Sequence, residues 1–236
     1  MDGFHYVNIF ETKGIEYLLT IAFFAMLIPF WLYLNKPAAI KVKYNKALGI
    51  LTEKILNIPK GLFYNKNHTW AHLEKTGFAT VGLDDFLLHV TGRVKIENLL
   101  TPGVHVKKRD VIARILQDGK HLEITSPISG KVEKINSVLN KNPEMINDDP
   151  YEKGWIAQIK PQDWQMETST YLLAEDATEW AKNELARVKD FVAVSLKKIS
   201  PEPSMVVLQD GGELMNGPLS MMPDKVWEDF QNEFLS

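Results

Sequence analysis

A two-residue turn between two β-type segments constrains the fold of this chain more than any other feature. Residues 111–116 are mostly apolar and β-branched, and residues 121–126 return with alternating side-chain character. Asp118 and Gly119 stand between them. Glycine accepts a positive φ without steric cost, so this dipeptide is typical of the tight turns that close β-hairpins. The sequence therefore predicts a β-hairpin with Asp118 and Gly119 at its tip.

Further short strands are predicted on both sides of this hairpin. Across residues 68–160, short β-rich runs alternate with turns made of Gly, Pro, Asn and Asp. Residues 84–90 read as a short helix with Phe86, Leu87 and Val90 on its apolar side. Many short strands at regular spacing are typical of a small barrel or sandwich. We expect a mainly β domain.

Several groups of residues in this region match one known family. They are His68-Thr69-Trp70, the ATVGL run that starts at Ala79, the SPISG run that starts at Ser126, and the pattern N-x-x-L-x-x-x-P-x-x-I-N-x-D-P-Y-x-x-G-W from Asn136 to Trp155. In these residues the chain resembles the H-protein of the glycine cleavage system. The resemblance implies a barrel-sandwich hybrid (biotinyl/lipoyl-like) domain, which we place at residues 67–161.

The resemblance also implies where a lipoyl arm would be attached. In that family a lipoyl-lysine lies eleven positions before the Gly that follows the hairpin, and eleven positions before Gly130 is Gly119. The spacing from Gly92 agrees. Lys120 is one residue later, and a slip of one residue turns a strand side chain to the opposite face, unless a bulge restores its direction. We expect no cofactor, with lipoate on Lys120 as the alternative.

The N-terminal part contains a long apolar segment. Residues 17–34 carry no charge and approach the ~20 residues that cross a bilayer. The segment before it is acidic and no small-residue cleavage site follows, which argues against a signal peptide. Lysines follow the segment, and positive flanks stay in the cytoplasm. We predict a single-pass anchor in the inner (cytoplasmic) membrane, with residues 1–16 outside and the C-terminal part in the cytoplasm. The residues predicted to lie at the membrane are Tyr17, Trp31, Tyr33, Lys36, Lys41 and Lys43.

Two further regions complete the predicted organisation. Residues 35–66 form a basic juxtamembrane linker, and residues 162–236 form an α-helical C-terminal extension. Apolar residues recur every three or four positions over residues 177–196, and residues 223–234 read as a final short helix. These elements either pack on the barrel or dock a partner subunit. The residues that we expect to contact a partner are Asp118, Gly119, Lys120, Trp227 and Phe230.

Composition and spacing exclude several kinds of chemistry. The chain has no cysteine, and its net charge of −3 argues against nucleic acid as a partner. His68 and His72 are four residues apart, but in a turn-and-strand context that spacing does not converge on one metal ion. No nucleophile with an adjacent base is visible. We therefore expect a protein that is not an enzyme.

These observations lead to one leading hypothesis and two alternatives. The leading one is a membrane-anchored accessory or scaffold subunit, without lipoate, whose partners are membrane lipid and the protein subunits of a membrane-associated complex, with redox chemistry as one candidate. The first alternative is a lipoyl carrier that uses Lys120 to shuttle groups or electrons between enzymes. The second is a membrane adaptor linked to a transporter, which needs the opposite topology.

Overall fold

A computed structural model describes residues 9–34, 51–199, 208–209 and 213–236. The chain divides into two units, Met1–Tyr44 and Asn45–Ser236. The predicted membrane-surface residues Lys36, Lys41 and Lys43 lie outside the described residues, as does the first part of the predicted linker.

The first unit contains one described helix, α1 (Ile9–Leu34), which runs through Pro29. It includes the apolar segment predicted from the sequence, and the apolar side chains from Tyr17 to Trp31 are exposed on it. Among the residues that the structure describes, no helix is long and apolar enough to cross a membrane. The predicted helix is present, whereas its predicted passage through a bilayer is not supported.

Two antiparallel sheets form the centre of the second unit. In chain order the strands are β1 (Phe63–Asn65), β2 (Thr69–Leu73), β3 (Ala79–Leu83), β4 (Lys95–Asn98), β5 (His105–Val106), β6 (Val111–Gln117), β7 (Lys120–Thr125), β8 (Gly130–Ile135) and β9 (Ala157–Pro161). The larger sheet has the order β1-β2-β3-β9-β8-β5, and the smaller has the order β4-β6-β7. β1 lies within the residues predicted as linker.

The hydrophobic core lies between these sheets because inward side chains alternate with outward ones along each strand. In the smaller sheet Ile115 pairs with Leu122, and both are fully buried. Val132 and Ile159 supply the facing residues from the larger sheet. The predicted mainly β sandwich is confirmed.

Short helices lie between the strands of the sandwich or directly after the last of them. They are α2 (Asp85–Thr91), α3 (Ser137–Lys141), a 3-10 turn at Met145–Asn147 and α4 (Trp164–Thr168). Helix α2 is the short helix that the sequence predicts. Asp84 begins it, because its carboxylate accepts a hydrogen bond from the Leu87 backbone N–H, one of the donors that a helix start leaves free.

The C-terminal third adds two longer helices and a small hairpin. These elements are α5 (Ala174–Ile199), β10 (Leu208–Gln209), β11 (Glu213–Leu214), a 3-10 turn at Pro218–Met221 and α6 (Asp224–Phe234). Helix α5 is amphipathic, as predicted, and its apolar stripe is buried. The buried stripe includes Ala177, Ala181, Leu185, Val188 and Val192.

Helix α6 packs against the sandwich through its aromatic face. Trp227 and Phe230 are 1% and 0% exposed, and Phe230 stacks on Phe234 with ring centres 4.5 Å apart. The sequence predicts that Trp227 and Phe230 contact a partner subunit. In this structure both rings are covered by the chain's own core, and their contact with a partner stays a prediction.

The close approach of the β3 backbone to the Trp70 ring explains why residue 82 is a glycine. A Cβ atom added to Gly82 on β3 would lie 2.6 Å from the indole of Trp70 on β2. The indole cannot move away easily, because its Nε1 donates to the Leu83 carbonyl at 2.7 Å and the ring is 1% exposed. The two strands therefore pack in this way only with glycine at this position.

We predict that Gly82→Ala lowers the free energy of unfolding by about 1–3 kcal/mol, the usual cost of forcing extra volume into a packed core. Urea denaturation of the wild type, Gly82→Ala, Trp70→Phe and the double variant measures the effect. Because a phenyl ring is smaller than an indole, the Gly82→Ala cost should shrink in the Trp70→Phe background. An equal cost in both backgrounds would show that the ring is not the obstacle.

Candidate functional site

The tip of the β6–β7 hairpin is a two-residue turn in which both residues have positive φ. Asp118 has φ +48° and Gly119 has φ +84°. Gln117 and Lys120 form the last pair of the ladder and close the turn. Two positive φ values match the twist of the flanking strands, which is why Asp-Gly suits this type of hairpin. The predicted turn is confirmed.

Position 119 favours glycine because of its backbone conformation, and not because neighbouring atoms leave no room for a side chain. A Cβ atom at this position would meet nothing within 4 Å. The left-handed backbone conformation is what disfavours other residues here. As the hairpin is folded, residue 119 is the corner of a turn, and the first amine after it belongs to Lys120. That Gly119 stands where the family has its lipoyl-lysine stays a prediction.

The Lys120 side chain is bound by the C-terminal part of the chain. Its Nζ atom donates to the carbonyl oxygens of Ser220 and Met222, at 2.7 and 3.1 Å. The same atom lies 5.2 Å from the centre of the Trp227 ring, within the range of a cation–π contact. Lys120 is half-buried as a result. The structure thus brings together Lys120 and Trp227, two of the residues that the sequence singled out.

The outer edge of β7 is closed by the same part of the chain. β7 is the last strand of its sheet, so its outward backbone groups lack a neighbouring strand. The Gln231 side chain on α6 accepts from the Glu123 N–H at 2.7 Å and donates to the Glu123 carbonyl at 3.2 Å. One amide side chain thereby replaces a missing strand at this point. Nothing in the sequence pattern singled out Gln231.

A shallow groove of about 490 Å³ runs beside the hairpin tip. Its walls carry both signs of charge: Lys95 lies 3.9 Å from Glu144 across it. Gln117 donates to the Arg93 carbonyl at 2.8 Å. Asp118 and Gly119, which we expected to contact a partner, lie at the rim of this groove.

A buried charged cluster joins the sandwich to α5. The ring of His68 is fully buried, with Nδ1 2.8 Å from Asp84 and Nε2 3.8 Å from Glu184. The second distance is too long for a hydrogen bond, so Glu184 acts through its charge. Arg187 Nη1 lies 2.6 Å from Oε1 of Glu184, the same oxygen that His68 approaches. The ring also stacks on Phe86, with centres 4.7 Å apart.

Burial by itself lowers the pKa of His68, since a charged ring loses its water. The charge and hydrogen bond of Asp84, together with the charge of Glu184, outweigh this effect and raise the pKa of His68 to about 9. Burial likewise opposes the charged form of Glu184, but His68 and Arg187 hold the pKa of that carboxyl below its usual value. His68 and Glu184 are therefore both charged at neutral pH.

Glu184 was not identified from the sequence, although a signal for it exists. The residue lies on the buried stripe of α5 between Ala181 and Leu185, and it is 3% exposed. A carboxylate on an otherwise apolar helical face needs a buried partner. His72, the other histidine of the apparent pair, is exposed and faces the Gly61 carbonyl instead.

Comparisons with known proteins agree with this architecture. The family model for glycine cleavage H-protein matches residues 62–184, more than half of the chain. The chain belongs to the glycine cleavage H-protein family. Members of this family are non-catalytic lipoyl carriers, in agreement with the expectation that the chain is not an enzyme. The match extends past the predicted domain of residues 67–161 and takes in the first part of α5, which His68 and Glu184 connect to the sandwich.

Individual relatives cover most of their own length in this match. A probable glycine cleavage system H protein of Pyrococcus abyssi is 34% identical over 126 residues, which are 53% of this chain and 93% of that protein. A glycine cleavage system H protein of Thermus thermophilus is 35% identical over 108 residues, 46% of this chain and 84% of that protein. A crystal structure of a glycine cleavage system H protein from Mycobacterium marinum aligns with a TM-score of 0.45 and 21% identity, over 54% of this chain and 98% of that chain.

We predict that the stability of the protein falls as the pH rises from about 6.5 through about 9. A folded-state pKa above the ordinary value of 6.5 means that the contribution of His68 is complete below pH 6.5 and is lost as the ring deprotonates in the folded protein. Denaturant titrations at pH 6, 7.5 and 9.5 measure the free energy of unfolding.

His68→Gln is the control, because glutamine occupies similar space and does not titrate. Its free energy of unfolding should be lower than that of the wild type at pH 6, and the difference should narrow towards pH 9.5. Parallel pH profiles for the two proteins would contradict a charged His68 in the fold.

Proposed function

We propose that this chain is a carrier of the glycine cleavage H-protein type, with Lys120 as the residue that takes lipoate and the proteins of a glycine cleavage-type system as partners. Family membership carries the proposal, because lipoate carriage is what the family does. The retained β6–β7 hairpin supports it, because the amine of Lys120 follows the tip directly. This revises our leading expectation of a scaffold without cofactor, since the comparisons favour the carrier.

The residues at the tip fit lipoate in their chemistry and oppose it in their present contacts. Lys120 has the primary amine from which an amide forms. That amine is now an ammonium group held by the carbonyls of Ser220 and Met222. An amide nitrogen carries a single N–H and no charge, so both carbonyls would have to release it. When bound, lipoate supplies a disulfide that takes up and passes on a small group or electrons.

The same contact favours a second candidate, a scaffold subunit in which Lys120 is structural. An ammonium that bridges two carbonyls under Trp227 has a role in folding without any arm. In that case the H-protein-like domain would engage partner proteins by shape and surface charge. The two candidates differ in a single covalent bond at Lys120.

Intact-mass analysis of the protein purified from its native host separates them. A carrier shows the mass of one lipoyl group in amide linkage, and peptide mapping places that mass on Lys120. Lys120→Arg should abolish the adduct while keeping the fold, because an arginine side chain can still donate to the two carbonyls. Lys95→Arg, which alters another lysine beside the groove, is the matched control and should keep the adduct.

A fully unmodified wild-type protein would remove the carrier proposal and favour the scaffold. The Lys120→Arg variant then provides a second measurement. Unchanged assembly with partner proteins and an unchanged melting temperature are expected of a scaffold whose Lys120 serves only the fold.

We retain the inner-membrane location as a proposal from the sequence. It is supported by the uncharged run over residues 17–34, the lysines after it, and the exposed apolar side chains of α1. The full chain is then expected in the membrane fraction of lysed cells, with a reporter fused after Ser236 active in the cytoplasm. Recovery in the supernatant would oppose the location, and a reporter active outside the cytoplasm would favour the transporter adaptor.

A further inference from the structure

The segment Leu214–Leu235, which we call the C-terminal cap, covers the β6–β7 hairpin of the same chain. We call this hairpin the carrier hairpin. It lies beyond the region that matches the family, which ends at residue 184. It contacts the hairpin at two separate places, at the amine of Lys120 and at the outer edge of β7 around Glu123. Two contacts along one strand mean that the cap follows the hairpin and does not touch it at a single point.

The cap is held together as a unit by its own contacts. The Trp227 indole donates to the Leu219 carbonyl at 2.8 Å, which ties α6 to the 3-10 turn before it. The start of that turn is fixed to helix α2, because the Gly217 N–H donates to the His89 carbonyl at 2.7 Å. A Cβ atom at Gly217 would lie 3.0 Å from the Cα of Gly92. The turn and α6 therefore approach the hairpin together.

The contacts of the cap are the ones that an external protein would use. An edge strand with free N–H and C=O groups is a template on which another chain can add. Gln231 already uses both groups of Glu123. A modifying enzyme needs the Lys120 amine free, and Ser220 and Met222 already bind it. The cap and an external partner thus compete for one surface.

We propose that the C-terminal cap is an internal inhibitor of the carrier hairpin. The cap must leave β7 before a modifying enzyme reaches Lys120 or a partner protein pairs with the strand edge. The part of this proposal that concerns lipoate rests on the proposed function, whereas the closure of Lys120 does not.

The accessibility of Lys120 can be measured without any enzyme. The full-length protein is treated with a trace of an amine-acylating reagent, and peptide mass spectrometry follows acylation of Lys120 relative to Lys75, an exposed lysine in the turn between β2 and β3. In the wild type Lys120 should react more slowly than Lys75. Gln231→Ala should accelerate acylation of Lys120 roughly fivefold or more, because losing the amide pair raises the population of open molecules.

A control variant on the same helix excludes a general effect of altering α6. The Lys225 side chain is 73% exposed and pairs with Glu228 and Asp229 within the helix. Lys225→Ala should leave the acylation rate of Lys120 unchanged. The same three proteins are then incubated with a lipoate–protein ligase, lipoate and ATP, and the lipoyl adduct is followed by intact mass.

The outcomes separate the cap from the carrier proposal. Faster acylation and faster lipoylation in Gln231→Ala support both. Faster acylation with no lipoyl adduct on any of the three proteins supports the inhibition proposal and contradicts the carrier proposal. The inhibition proposal is overturned if Lys120 in the wild type reacts as fast as Lys75, or if Gln231→Ala leaves the acylation rate of Lys120 unchanged. Lipoylation of Lys120 can still succeed in either case.

Discussion

The register of the β6–β7 hairpin is the constraint on which the rest of this structure depends. With Asp118 and Gly119 at the corner, Lys120 pairs with Gln117 and Leu122 pairs with Ile115. This register sends Leu122 into the core and leaves the edge of β7 facing α6. A slip of one residue would exchange the two faces of the strand. It would expose the apolar residues and bury the charged ones, and the C-terminal cap would lose its contacts.

A second constraint ties the C-terminal helices to the sandwich. Three residues from separate elements form this constraint. His68 lies in the turn before β2, Asp84 at the start of α2 and Glu184 in the middle of α5. Burying these charges is costly unless each is matched. The matching therefore makes the position of α5 specific, because a shift of one helical position would leave a buried carboxylate unpaired. The boundary of the family domain inside α5 is consistent with this dependence.

Local features of the fold were predictable where short-range chemistry decides them. The turn at Asp118 and Gly119, helix α2 with its Asp84 cap, and the amphipathic helix α5 all follow from residues within a few positions of one another. The sequence left open whether Trp227 and Phe230 pack on the barrel or dock a partner, since an amphipathic helix shows which face is apolar but not what covers that face. Glu184 carried a weak signal, and Gln231 carried none.

The sequence by itself determined that a mainly β domain of the H-protein type is present, and that its hairpin tip offers glycine at the corner and lysine one residue later. Only the tertiary structure decided what that lysine does in the folded chain. The carbonyls that bind it lie 100 and 102 residues away. Backbone carbonyls are the same at every residue, so no sequence pattern identifies them. Contacts of this kind arise when separate elements pack, because packing alone sets which backbone atoms face a given side chain.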